Sequence, residues 1–155
     1  MQIVARFKLD PALIMQNHGL NDGGAVQQFV DSECMRRMQS FMPFSSGAME
    51  SSMVTNTVIG SGKIITATPY SRYLYYGVLM VDPKTLKGAF HDEVSGRFWS
   101  RPGVQKIIDP AGRKLDYDTS AHPKAGSHWF DRMVSEYGDE IGKGAAQLAG
   151  GRFVK

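Results

Sequence analysis

Two stretches near opposite ends of this chain return apolar residues every three or four positions, and each therefore demands a cover for one helical face. In residues 25–42 the stripe is Val26, Phe29, Val30, Cys34, Met38 and Phe41, with Gln27, Asp31, Arg36 and Arg37 pointing elsewhere, and Pro43 stops the helix. In residues 127–148 it is Trp129, Met133, Tyr137, Ile141, Ala145 and Leu148. Ser127 is the expected N-cap, Asp131 and Glu136 load the early turns in the sense the helix dipole favours, and Gly150-Gly151 ends the run. Gly138, Gly142 and Gly144 weaken this second helix by about 1 kcal/mol each relative to alanine, unless another part of the chain approaches closely there. Methionines 35, 38 and 42 could give the first helix an adaptable partner surface, but methionines at helical spacing more often fill a core.

Between the helices the chain changes character. Residues 54–59 and 63–68 are β-rich and flank Gly60-Ser-Gly62, a hairpin signal, after a single helical turn near 49–53. Residues 78–121 hold short β-rich pieces at 77–81, 97–100 and 105–108, interrupted by Asp82-Pro83, Arg101-Pro102 and Asp109-Pro110. At the start, residues 2–9 alternate as a half-buried strand does, and Asp10-Pro11 opens a short helix ending near Gly19. A chain of 155 residues and 17.1 kDa with 17 glycines and 7 prolines fits one loop-rich domain, 1–155. The expectation is an α+β fold: a small, mainly antiparallel sheet from 2–9, 54–59 and 63–68 packed by the two long helices, with 78–121 as an extended β-hairpin excursion that reaches a neighbour.

The segment Pro69-Tyr-Ser-Arg-Tyr-Leu-Tyr-Tyr-Gly77 holds four of the six tyrosines. Tyrosine offers a large apolar ring at low entropy cost together with one polar tip, which suits surfaces buried against a partner. Tyr70, Arg72, Tyr73, Tyr75 and Tyr76, with Arg97, Trp99 and Arg101 in the excursion, are the candidates for subunit contacts. The competing reading makes some of these rings, Tyr73 and Tyr76 in particular, core aromatics of the chain itself.

Four stretches in fixed order carry a likeness. Val26-Gln-Gln-Phe-Val-Asp-Ser-Glu33 leads through Arg36-Arg-Met38 to Met42-Pro-Phe-Ser-Ser-Gly47; Gly60-Ser-Gly62, the Tyr-rich segment and His122-Pro-Lys-Ala-Gly-Ser-His-Trp-Phe-Asp-Arg-Met133 follow. Over nearly its whole length the chain resembles the minor capsid proteins of tailed bacteriophages with long non-contractile tails, among the head–tail connector and tail-completion proteins of the neck. The resemblance implies a structural virion protein made in the host cytoplasm. It implies a homo-oligomeric ring, six-fold or twelve-fold, around the DNA channel. Neighbouring neck, connector and tail proteins would be its partners, with packaged DNA nearby but not bound by sequence.

Charge and motifs leave little room for other chemistry. The net charge of +3 arises in residues 55–121, with nine basic and six acidic side chains, but Lys84, Lys87, Arg97, Arg101, Lys106, Arg113 and Lys114 are spread over turns and form no polybasic arm. An alternative remains a small nucleic-acid-binding protein that stacks bases on the tyrosines and meets phosphates with the central Lys/Arg. Gly60-Ser-Gly-Lys63 lacks the earlier glycine and the following Ser/Thr of a phosphate-binding loop. His91-Asp-Glu93 and the pair His122 and His128 lack metal-ligand spacing, and the adjacent acids Asp92/Glu93 and Asp139/Glu140 diverge. Cys34, alone, reads as a small buried hydrophobe. No cofactor, metal site or catalytic residue is expected, and no apolar run is long enough for a membrane span or signal peptide.

Overall fold

Five α-helices and four short strands follow one another along residues 10–154, the part of the chain that this computed structural model describes, the side chains of residues 91, 97 and 98 excepted. The helices are α1 (Pro11–Asn17), α2 (Ala25–Met38, extended by a 3-10 turn Gln39–Phe41), α3 (Ala48–Asn56), α4 (Ser71–Tyr76) and α5 (Trp129–Leu148). The strands are β1 (Met80–Val81), β2 (Phe90–Asp92), β3 (Arg97–Trp99) and β4 (Ile107–Ile108). The fold is α+β, and its strands pair antiparallel as two ladders, β1 with β4 and β2 with β3. None of the described helices is long and apolar enough to cross a membrane.

The two striped helices cover each other. Along their contact, Cys34, Met38, Phe41 and Met42 from α2 and its extension meet Trp129, Met133 and Ile141 of α5, and Met49 and Met53 of α3 close the cluster. Five of these nine buried side chains are methionines, so the Met-rich spacing marks core, as its periodicity suggests. Burial raises the Cys34 thiol pKa, with the Asp31 and Glu33 charges adding to it, in keeping with an inert, packed cysteine. At the edge of the contact Arg37 reaches Glu140 at 2.9 Å and lies 4.5 Å over the Tyr137 ring. Glu33 accepts from Arg36 and Arg37, and the Arg36 hydrogen bond above all lowers its pKa from 4.5 to about 2.

Two of the three glycines of α5 prove to be contact sites. A Cβ on Gly144 would lie 2.5 Å from the Phe29 ring, and one on Gly142 the same distance from Phe153, so in both cases an aromatic ring fills the space. His128, not Ser127, precedes the helix, in the left-handed region at φ 49°, where its N–H donates to the Tyr75 carbonyl at 2.8 Å. Tyr75 and Tyr76 both pack on its ring.

The expected strands at 54–59 and 63–68 are corrected by the structure. Residues 54–56 continue α3, because Met49 and Met53, four apart, plug the core and hold the helix in register. Residues 63–68 form no strand; Ile65 N–H donates to Thr57 Oγ1 at 3.0 Å and Ala67 N–H to Ser52 Oγ at 2.8 Å. Gly60-Ser-Gly62 is a loop around a buried carboxylate, not a hairpin turn. Asp31 accepts from Gly60 N–H at 2.8 Å and Gly62 N–H at 3.0 Å through one oxygen and from Gln27 Nε2 at 2.7 Å through the other. The expected strand at 2–9 lies outside the described residues.

The excursion 78–121 carries all four strands. Its base is the β1–β4 ladder, with Met80 opposite Ile108, and its arm is the β2–β3 hairpin, whose tip residue Val94 is 97% exposed. Each Asp-Pro step closes one end of the base by the same device. Asp82 accepts from the N–H groups of Lys84 and Thr85 and from Arg101; Asp109 accepts from those of Ala111 and Arg113 and from the Arg113 guanidinium. Both carboxylates are buried, and the arginine beside each holds its pKa well below the usual range.

Candidate functional site

The Tyr-rich segment folds as α4 because both its ends are tied. Ser71 Oγ donates to the Thr66 and Thr68 carbonyls at its start, and Gly77, at φ 69°, ends it by turning its N–H back to the Leu74 and Tyr73 carbonyls. Tyr117 donates its hydroxyl to the Leu74 carbonyl and supports the helix from below. A six-residue helix has two faces, and here they divide the candidates.

The inward face carries Leu74 and Tyr75. The Tyr75 ring meets Trp129 edge-on at 4.8 Å, and its hydroxyl donates to Asp131 at 2.8 Å. Burial first, and then that hydrogen bond, push its pKa up from 10 to about 12. The outward face carries Arg72, Tyr73 and Tyr76, with Tyr73 38% and Tyr76 57% exposed. The split reverses the alternative weighed above: Tyr75 is the ring that belongs to the chain's own core, and Tyr73 and Tyr76 face out.

The outward face is a ridge between three grooves. One, of about 610 Å³, lies toward α2 and the 62–66 segment and ends on Arg72 and Tyr76. A second, of about 520 Å³, runs between Arg72, Tyr73 and Tyr76 on one side and Lys106, Ile107 and Ile108 on the other. The third, of about 470 Å³, lies between Tyr70, Tyr73 and Leu74 and the excursion residues Leu79, Ala89 and Leu115. Ile107 and Ile108 are both exposed although adjacent on one strand, the latter at 64%. Sequence reasoning missed them because a two-residue strand shows no alternation to read.

Among the excursion candidates, Trp99 is half exposed and stacks on Phe90 across the β2–β3 ladder, with centroids 4.7 Å apart. Arg101 is committed within the chain to Asp82, so its guanidinium serves the excursion's base. Arg97 sits on β3 opposite Asp92 of β2. Tyr70 is exposed at the mouth of the third groove. Arg72 and Lys106 have no ion-pair partner among the described residues. His122 helps set the turn into α5, its Nδ1 lying 2.8 Å from the Met42 carbonyl. Among the described residues no group of three His, Cys, Asp or Glu could hold a metal ion.

Comparison with protein-family models, with curated proteins and with solved structures gives no significant match to this chain.

Proposed function

We propose that the protein is a structural subunit of a tailed-phage virion: a neck subunit, of the head–tail connector or tail-completion kind, that forms a ring around the DNA channel. The sequence resemblance names the setting, and the outward face of α4 carries the reading. Two tyrosines and an arginine, residue types that concentrate energy in interfaces, stand on a ridge flanked by apolar grooves.

The test is to locate the subunit in virions by electron microscopy and to measure the oligomeric state of the purified protein. Ring density at the neck, with neighbouring copies in contact through α4, is the expected result; copies that never touch each other overturn it.

A second reading has its own observation. The groove with Tyr73 and Tyr76 on its wall is flanked by Arg72 and Lys106 and lined by no acidic residue, an arrangement that also suits stacked bases and phosphates. Affinity for bare single-stranded DNA that falls steeply with salt would favour it, whereas a neck subunit shows little such binding.

A further inference from the structure

Residues 79–113 are tied to the helical body by their two roots. Val78 bridges Lys114 antiparallel, the Leu115 N–H donates to the Gly77 carbonyl at 3.2 Å, and the Val78 N–H donates to the Tyr73 carbonyl at 2.9 Å. Beyond these roots the bonds turn inward. Asp82 takes Arg101, Asp109 takes Arg113, Arg113 reaches the Leu86 carbonyl, and Phe90 stacks on Trp99. Among the described residues no hydrogen bond, ion pair or ring contact joins 79–113 to the rest of the chain.

Apolar packing divides the chain at the same place. None of the described residues 79–113 belongs to the methionine core shared by α2, α3 and α5, while Val81, Asp82 and Asp109 are buried outside that core. Toward α4 the two parts are separated by the grooves of about 470 and 520 Å³ on either side of Tyr73. Close packing and satisfied bonds are what make neighbouring parts of a fold open and close together, and this boundary has little of either.

We infer that residues 79–113 form a hinged arm that folds and unfolds apart from the helical body and turns about Val78 and Lys114. Both chain segments leave the body at that point, so a change in a few backbone angles reorients the whole module. The arm supplies one wall of each groove and α4 the other, and its swing sets how wide the grooves stand beside Tyr73. A partner seated on the ridge selects one arm angle from those the free chain visits. The boundary belongs to the free chain, so the arm behaves this way whether or not copies associate.

The two tryptophans fall one on each side of the boundary, Trp99 in the arm and Trp129 in the core, and their indole N–H resonances test it. In the full chain with isotope-labelled tryptophan, assigned by Trp99→Phe, the two signals follow the two parts separately through a urea titration. One cooperative unit gives coincident transitions. The expected result is two, Trp99 first, and Asp109→Ala lowers the Trp99 midpoint while leaving that of Trp129 in place, because it strands donors only within the arm. Midpoints that coincide in the parent, or that Asp109→Ala lowers equally, overturn the inference, as does a Trp99 signal already at its unfolded position without urea. The swing is read from distances between spin labels at Val94→Cys, on the arm's tip, and Val54→Cys, on α3, with the native Cys34 buried and unlabelled. This distribution is expected to be broader than those of Val54→Cys with Leu148→Cys inside the body and of Val94→Cys with Ile108→Cys inside the arm. A tip-to-body distance as sharp as these fixes the arm and overturns the hinge. Equal breadth between Val94→Cys and Ile108→Cys places the motion in the β2–β3 hairpin and overturns it too.

Discussion

At the scale of single residues, neighbouring side chains of one type do unlike work. Tyr75 closes the core against Trp129 and bonds Asp131, so Tyr75→Phe should cost about 1 kcal/mol in the melting transition by removing the hydrogen bond while keeping the ring. It should also change the alkaline limb. Because the folded chain holds the Tyr75 proton more tightly, with a pKa of about 12 against an ordinary 10, that part of the stability is intact below pH 10 and lost as the pH rises toward 12. Tyr75→Phe should flatten this slope, and an identical slope in both proteins would rule the explanation out. Asp31 is the other decisive residue. It was assigned to the polar side of its helix, yet it is 3% exposed and anchors the Gly60–Gly62 loop. Asp31→Ala strands two N–H donors and should cost about 3 kcal/mol in chemical denaturation, whereas Asp31→Asn keeps an acceptor and should cost about 1. Periodicity could not show this role, because the acceptor for a loop's N–H groups is chosen by tertiary approach and leaves no mark on its own helix.

Elements were legible where packing and local pattern agree. The stripes of α2 and α5 are largely on the sides their spacing indicates, although Leu148 at the end of α5 is exposed; Asp10-Pro11 opens α1, and β1, β3 and β4 fall within one to three residues of their expected positions, whereas β2 was not expected. The hairpin at 54–68 was not legible, because β-branched residues and a Gly-Ser-Gly loop fit a strand pair as well as they fit a helix end followed by an extended strap. Met49 and Met53 tipped the balance by burying themselves four residues apart. The glycines of α5 separate the two kinds of local cost. A Cβ on Gly138 meets only the Val134 side chain of its own helix, at 3.3 Å, so Gly138→Ala should stabilise by up to about 1 kcal/mol. Gly144→Ala meets the Phe29 ring at 2.5 Å and should lose that gain to overpacking, leaving the protein up to about 2 kcal/mol less stable. Melting temperatures that rise equally for both would show that Phe29 yields freely.

For the whole molecule, the proposed assembly role of the α4 ridge separates its outward residues from those that hold the fold. Tyr76→Ala should leave melting close to the parent and weaken self-association by about 2 kcal/mol, roughly thirtyfold, while Tyr75→Ala should lower melting first. Analytical ultracentrifugation beside calorimetry reads both, and the reverse pattern would move the interface away from α4. The fold class could be read from residue pattern; the division of the candidates could not, since it depends on which turn of a six-residue helix meets Trp129. The methionine-filled core gives the molecule one more property. Thioethers at 0–4% exposure in Met38, Met42, Met49, Met53 and Met133 are shielded from peroxide, whereas Met15 on α1 is half exposed. Sulfoxide should therefore form at Met15 ahead of these five core methionines in the isolated subunit, and its rate there, followed by mass spectrometry, becomes a built-in gauge of whether α1 is covered.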